Sequence, residues 1–181
     1  MGDDDVRRAV RATRVVNAGP DADDERRIAA RQEANRWSYG RFRRLAEANG
    51  VRMATTPNGM LIAAGGNAAA RLGSHRGGTT WGDVFLLNAG RRADPAAVLR
   101  LAIRGGVAVY EYGTRVRPGV LPLDRLLCHE EIHARQWARM GPTRFPVAYL
   151  RAEMVAAATG RPNRFEVEAG LADGGYSDPR A

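Results

Sequence analysis

Apolar and polar positions along this chain repeat at two periods, near 3.6 and near 2, and the changes of period mark out its elements. From Asp21 the acidic run DADDE favours a helix start, and one helix is predicted to about Asn49, where Gly50 supplies the stop. Ile28, Ala29, Trp37, Phe42 and Leu45 give that helix a broken apolar face expected to lie over the core. VRMATTPNGMLIAA then places two short β-prone runs around Pro57-Asn58-Gly59, a hairpin signal. The glycine-rich GGNAAARLGSHRGG lacks phosphate-loop spacing and reads as a loop. Residues 79–90 read as one strand, with Trp81 and Val84 to Leu87 as its body.

Asp94-Pro95 is a cap followed by proline at the first helical position, opening a helix to Arg104 that Gly105 ends. GVAVYEYGTRV is another strand. A helix is predicted from near Pro122 to the Gly141-Pro142 pair, a second over Phe145 to Thr159, and a short third from Asn163 in NRFEVEAGLA. Residues 1–20 read as a flexible arm and 21–181 as a single domain.

Charge changes this picture less than its size suggests. The net charge of +8 points to an anionic partner, but all 28 basic residues are arginine and they are scattered rather than gathered into a stripe. A nucleic-acid partner is therefore not expected. The single Cys128 excludes an internal disulfide; it lies about 100° from His129 on a helix and is expected to be a buried, inert thiol. No secretory signal and no run of eighteen apolar residues is visible, so a cytoplasmic protein without a membrane span is expected.

The chemistry is concentrated at residues 129–133, His-Glu-Glu-Ile-His, which use two of the three histidines. Positions four apart share one helix face, so His129 and His133 can offer imidazole nitrogens to one Zn²⁺, with Glu130 as base for a metal-bound water. Leu126, Trp137 and Met140 fall on the same side and are expected in the core. Glu131 points elsewhere and, with Arg135 at i+4, reads as a surface pair; Arg139 reads as solvated.

A catalytic zinc needs a third protein ligand. HEEIHARQWAR has Gln136 and Arg139 where a metzincin would have glycine and histidine, and His75 is the only histidine left. A carboxylate from RFEVEAG is expected instead. Glu166 is preferred, because Ala169 and Gly170 three and four positions later would let that helix approach closely; Glu168 is the alternative. Asn163-x-x-Glu166 also fits a capping box, which would leave Glu166 serving only its own helix.

HEEIHARQWARMGPTRFPVAYL and NRFEVEA together resemble a group of short bacterial gluzincin-like zinc metallopeptidases, and GGTTWGDVFLL resembles the strand before HExxH in protease-like domains of bacterial toxin and injection systems. The resemblance covers about residues 77–170. It implies an α+β, zincin-like fold in which a small sheet sets its edge strand beside the HExxH helix, with further helices behind. It implies His129, His133 and Glu166 as metal ligands, Glu130 as base, and Gln136, Trp137 and Tyr149 as framework. Two departures stand out. Gly170 replaces an aspartate that orients a zinc histidine in many relatives, and 88–121 is longer than the usual link.

The expected activity is zinc-dependent hydrolysis of peptide bonds, with an extended peptide or protein substrate held along the edge strand, 80–87. Tyr149, Tyr176, His75 or an arginine would stabilise the oxyanion. The alternatives are a zincin-fold binding module that has lost catalysis and, behind it, an arginine-rich nucleic-acid binder.

Overall fold

The computed structural model describes residues 22–67, 77–90, 93–112 and 117–176. The expected arm, residues 1–20, and His75 fall outside them. The chain divides into two compact units, Met1–Ala30 and Arg31–Ala181. The described part of the first is the start of helix α1, Ala22–Ala34, whose first turn carries Asp23, Asp24 and Glu25. Arg26 pairs with Asp23 and Arg27 with Asp24 one turn away.

In the second unit the predicted long helix is interrupted. A π-helical turn, Ser38–Phe42, separates α1 from α2, Arg43–Ala48. The wider turn adds one residue and so rotates everything after it by about 100°. That rotation corrects the expected apolar face: Leu45 is 64% exposed, while Ala46 is buried. Before the turn and at its first residue, the buried positions of this segment are polar, namely Arg31, Asn35 and Ser38.

The hairpin around Pro57-Asn58-Gly59 is present, with β1 (Val51–Thr55) antiparallel to β2 (Leu61–Gly65). The single strand expected over 79–90 is instead two, β3 (Gly78–Trp81) and β4 (Val84–Leu87), joined by a two-residue turn at Gly82-Asp83. Pairing runs β1-β2-β4-β3, with β2 and β4 parallel. The sheet's edges are thus β1 and β3, and of the expected edge strand only β3 lies at one. β4, which forms the other half of the expected edge strand, lies inside the sheet.

Side chains alternate across β2 and β4. Leu61, Ala63, Val84 and Leu86 face one layer with Ala46 and Val51. Ile62, Ala64, Phe85 and Leu87 face the other, where they meet Leu99, Ala102, Leu126 and Leu127. Helix α3, Pro95–Gly105, is capped by the Asp94 side chain, which accepts from the Ala96 N–H at 3.0 Å, and it closes on Gly106 rather than Gly105. β5 (Val107–Tyr112) pairs antiparallel with β6 (Arg117–Pro122) in a separate two-stranded sheet, so part of the long 88–121 link is a third antiparallel pair.

Helix α4 spans Leu123–Thr159 and turns sharply at Gly141, whose φ of 80° and ψ of 168° suit glycine and break the helical run. The expected Gly-Pro stop is thus a kink, and the second arm begins at once rather than at Phe145. Helix α5, Arg164–Ala169, follows. Trp137, Phe145 and Phe165 pack together behind the kink with Met140, Ala148 and Tyr149. The result is α+β with a small mixed sheet. Among the described residues no helix is long and apolar enough to cross a membrane.

Candidate metal centre

The first arm of α4 buries one face, and that face carries His129, Glu130 and His133. Helix α5 brings Glu166 to the same point. Asn163 caps α5 by accepting from the Phe165 N–H at 2.9 Å, while the Glu166 carboxylate turns to His129, His133 and Tyr149 instead of its own helix start. The His129 and His133 Nε2 atoms lie 3.1 Å apart, and Glu166 Oε2 is 3.2 and 3.4 Å from them. This trio of buried donors can hold a metal ion. Glu168 is outside it: its carboxylate pairs with Arg139 at 3.1 Å and accepts from Gln136.

The partners behind the rings decide which atoms face inward. His129 Nδ1 is 2.9 Å from the Gly170 carbonyl, which can only accept, so the proton sits on Nδ1. Gln136 Nε2 donates to the Phe165 carbonyl and to Glu168, which leaves its Oε1 to accept from His133 Nδ1 at 2.8 Å. In their neutral forms both rings therefore aim bare Nε2 lone pairs at the same point. The Tyr149 hydroxyl donates to Glu166 Oε1, whereas Oε2 has no hydrogen-bond partner although it is buried. Three electron-rich atoms converge here, and a cation is what such an arrangement accommodates.

Titration follows the same logic. Burial pulls the His133 imidazole down, but the facing Glu166 and Glu130 carboxylates outweigh it and push it up to about 9. His129 is raised by the same contest. Burial alone would raise Glu166, yet its contacts with the two histidines hold it well below the usual carboxylate range. Glu130 goes the other way: burial pushes its carboxyl up against the lowering influence of both histidines and of Thr80. The Thr80 hydroxyl, on edge strand β3, donates to Glu130 Oε2 at 2.5 Å, and Trp137 Nε1 ties that strand to α4 through the Thr80 carbonyl at 2.9 Å.

No family profile, curated protein or solved structure matches this chain. The site has to be read from its own chemistry.

Several of its parts were not expected. Gly170 supplies through its backbone carbonyl the orienting contact that an aspartate would have given, so the departure at this position leaves His129 supported. Gln136 and Tyr149, taken as framework, hold His133 and Glu166 directly. Gly174 lies flat on His129: a Cβ there would fall 2.5 to 2.8 Å from three ring atoms. Tyr176 follows, its ring 6.0 Å from that of His129. Cys128 is exposed rather than buried, because it sits on the outer side of α4; its thiol is nonetheless raised, by partial burial and then by Glu131.

Removing the contact behind His133 should be felt at the metal. Gln136→Ala is expected to weaken metal affinity by about 10- to 100-fold, the usual effect of losing an orienting partner, as read by competition with a chelating dye. Unchanged affinity would mean that the His133–Gln136 contact does not orient the ring.

Proposed function

We propose that this chain is a zinc-dependent metallopeptidase of gluzincin-like type, with His129, His133 and Glu166 as ligands and Glu130 as the base. The observation carrying this reading is the convergence of two tautomer-fixed imidazoles with an orphaned carboxylate oxygen on the face that also presents Glu130. Donors about 2.0–2.1 Å from a tetrahedral zinc are about 3.3 Å from each other. The separations of 3.1, 3.2 and 3.4 Å fit that ion without rearrangement. A zinc ion bound there would supply Lewis acidity towards a peptide carbonyl and towards water.

The protein's own part is proton handling and orientation. Glu130 takes a proton from the attacking water and returns it to the leaving amine, and burial raises its affinity for that proton. Thr80 holds the carboxylate by one oxygen and leaves the other free to act. The Tyr149 hydroxyl, which donates to Glu166, steadies that ligand. An extended peptide would lie along β3, outside the Thr80 carbonyl already taken by Trp137.

The test is zinc content by elemental analysis after zinc-supplemented expression, together with cleavage of unstructured peptides. Wild type is expected to bind zinc and turn over; Glu130→Gln should keep the zinc and lose about 10²- to 10⁴-fold in rate. A metal-free wild type would sink the proposal.

One observation favours a second reading, a zinc-holding binding module without hydrolysis. His129, Glu130, His133 and Glu166 are all buried, and Gly174 presses on His129. That reading predicts bound zinc, no peptide cleavage, and no difference between wild type and Glu130→Gln.

A further inference from the structure

The second arm of α4, residues 142–159, is apolar on two sides. Its inner side, with Phe145, Ala148, Tyr149 and Ala152, packs on Trp137 and Phe165. Its outer side carries Val147, Leu150, Met154 and Val155, which are 69%, 62%, 67% and 55% exposed. Val147, Leu150 and Met154 are three and four residues apart and form one stripe, and Val155 flanks it on the turns after Val147.

Arginines frame it. Arg144, Arg151 and Arg161 form no ion pair among the described residues, and Arg164 lies over the Phe165 ring at 4.7 Å. The only acidic residue between positions 141 and 165 is Glu153, whose carboxylate accepts from Asn163. A groove of about 990 Å³ runs beside the stripe, with Val147 and Val155 in its wall next to Arg144, Arg151 and Arg161.

We propose that this face docks on the surface of an anionic lipid bilayer, with the four apolar side chains at the headgroup boundary and the arginines on lipid phosphates. An apolar helix face bordered by arginine is the composition that binds there. A second copy of the chain fits poorly, since it would set arginine against arginine with no carboxylate on the face to answer them. An acidic peptide lodged in the groove would cover Val147 and Val155 but leave Leu150 and Met154 outside. A bilayer surface covers all four at once. The proposal is independent of the metal reading, because none of these residues touches the donor trio.

The test is flotation of the full chain with vesicles of phosphatidylcholine alone and of phosphatidylcholine mixed with phosphatidylglycerol, at physiological ionic strength. Binding is expected only to the mixed vesicles and should weaken as salt rises. Leu150→Glu and Met154→Glu are each expected to weaken it by at least about tenfold, and Arg151→Ala by about fivefold. Arg104→Ala, on α3, should change it less than about twofold, which separates this face from the general positive charge. All four positions are exposed, so thermal midpoint and metal content should not move. Absent flotation, equal flotation with both vesicle types, or equal loss in Arg104→Ala overturns the proposal. So does a lipid-free dimer that Leu150→Glu converts to monomer, or stronger capture by polyglutamate than by the mixed vesicles.

Discussion

Replacing one donor of the trio should abolish stoichiometric metal binding while leaving the chain folded. His133→Ala and Glu166→Gln are expected to bind zinc several hundredfold more weakly than wild type, on the order of 3–4 kcal/mol for each ligand if a protein–zinc interaction of about 10–16 kcal/mol is shared among its ligands. Isothermal titration against a competing chelator reads this directly. Glu168→Gln is the comparison and should lose far less, because Glu168 is turned to Arg139 and reaches His133 only through Gln136, which the Phe165 carbonyl also holds. Equal loss in both glutamate variants would contradict the assignment of Glu166. The affinity of wild type should also rise with pH. In the metal-free protein the facing carboxylates hold the proton on His133 up to about 9, so protons compete with the ion below that value and cease to compete above it. A proton release accompanying uptake at neutral pH follows from the same competition.

The donor pair was legible because its spacing is itself a geometry: two histidines four apart have one face available, and the helical pattern around them presents it. Glu166 was only half legible. Asn163-x-x-Glu166 offers two uses for one carboxylate, and the choice depends on how close α5 comes to α4, which the distant packing of Phe165 on Phe145 decides. The carbonyl of Gly170 was not legible at all, since a backbone atom leaves no residue-type signal. The β3–β4 hairpin did have its signal in Gly82-Asp83, but the apolar run on either side reads equally well as one buried strand. Pro118 and Pro122 hid β6 for the opposite reason, because proline argues against a strand except in an edge position such as this two-stranded ribbon provides.

The largest gap between sequence and structure has the largest consequence for stability. Arg31, Asn35 and Ser38 recur at four and three residues, a polar pattern that reads as the solvent side of a helix. They are instead buried around Asp83, itself inaccessible at the β3–β4 turn. Asp83 accepts from Arg31 Nε at 3.1 Å, Asn35 Nδ2 at 2.7 Å and the Tyr39 hydroxyl at 3.0 Å. Burial and the Asp83 charge together drive the Tyr39 hydroxyl far above its ordinary range, so it stays a donor. Arg31 also donates to the Asn58 carbonyl at 2.8 Å and lies 2.8 Å from Glu131. Glu131 is therefore no surface residue: besides its pair with Arg135 it joins α4 to the hairpin turn. Asn35 completes the link through the Ala134 carbonyl at 2.8 Å. Two sheet turns and the helix that carries His129 and His133 are held together by the Arg31 guanidinium, the Asp83 and Glu131 carboxylates and the Asn35 amide.

Arg31→Met is accordingly expected to be the most destabilising single change proposed for this chain. It leaves Asp83 buried without its countercharge, a defect costing about 3–5 kcal/mol, or roughly 10–15 °C in thermal midpoint for a domain of this size. Arg31→Lys should recover only part of the loss, because an ammonium cannot reach Asp83, the Asn58 carbonyl and Glu131 as a planar fork does. Arg31→Met combined with Asp83→Leu should lose less than Arg31→Met alone, since no unpaired charge is then left inside. Thermal unfolding of the four proteins in excess chelator isolates this network from the metal centre. If Arg31→Met melts within about one degree of wild type, where a surface substitution would put it, the network does not stabilise the fold and α4 must be anchored by its apolar face alone.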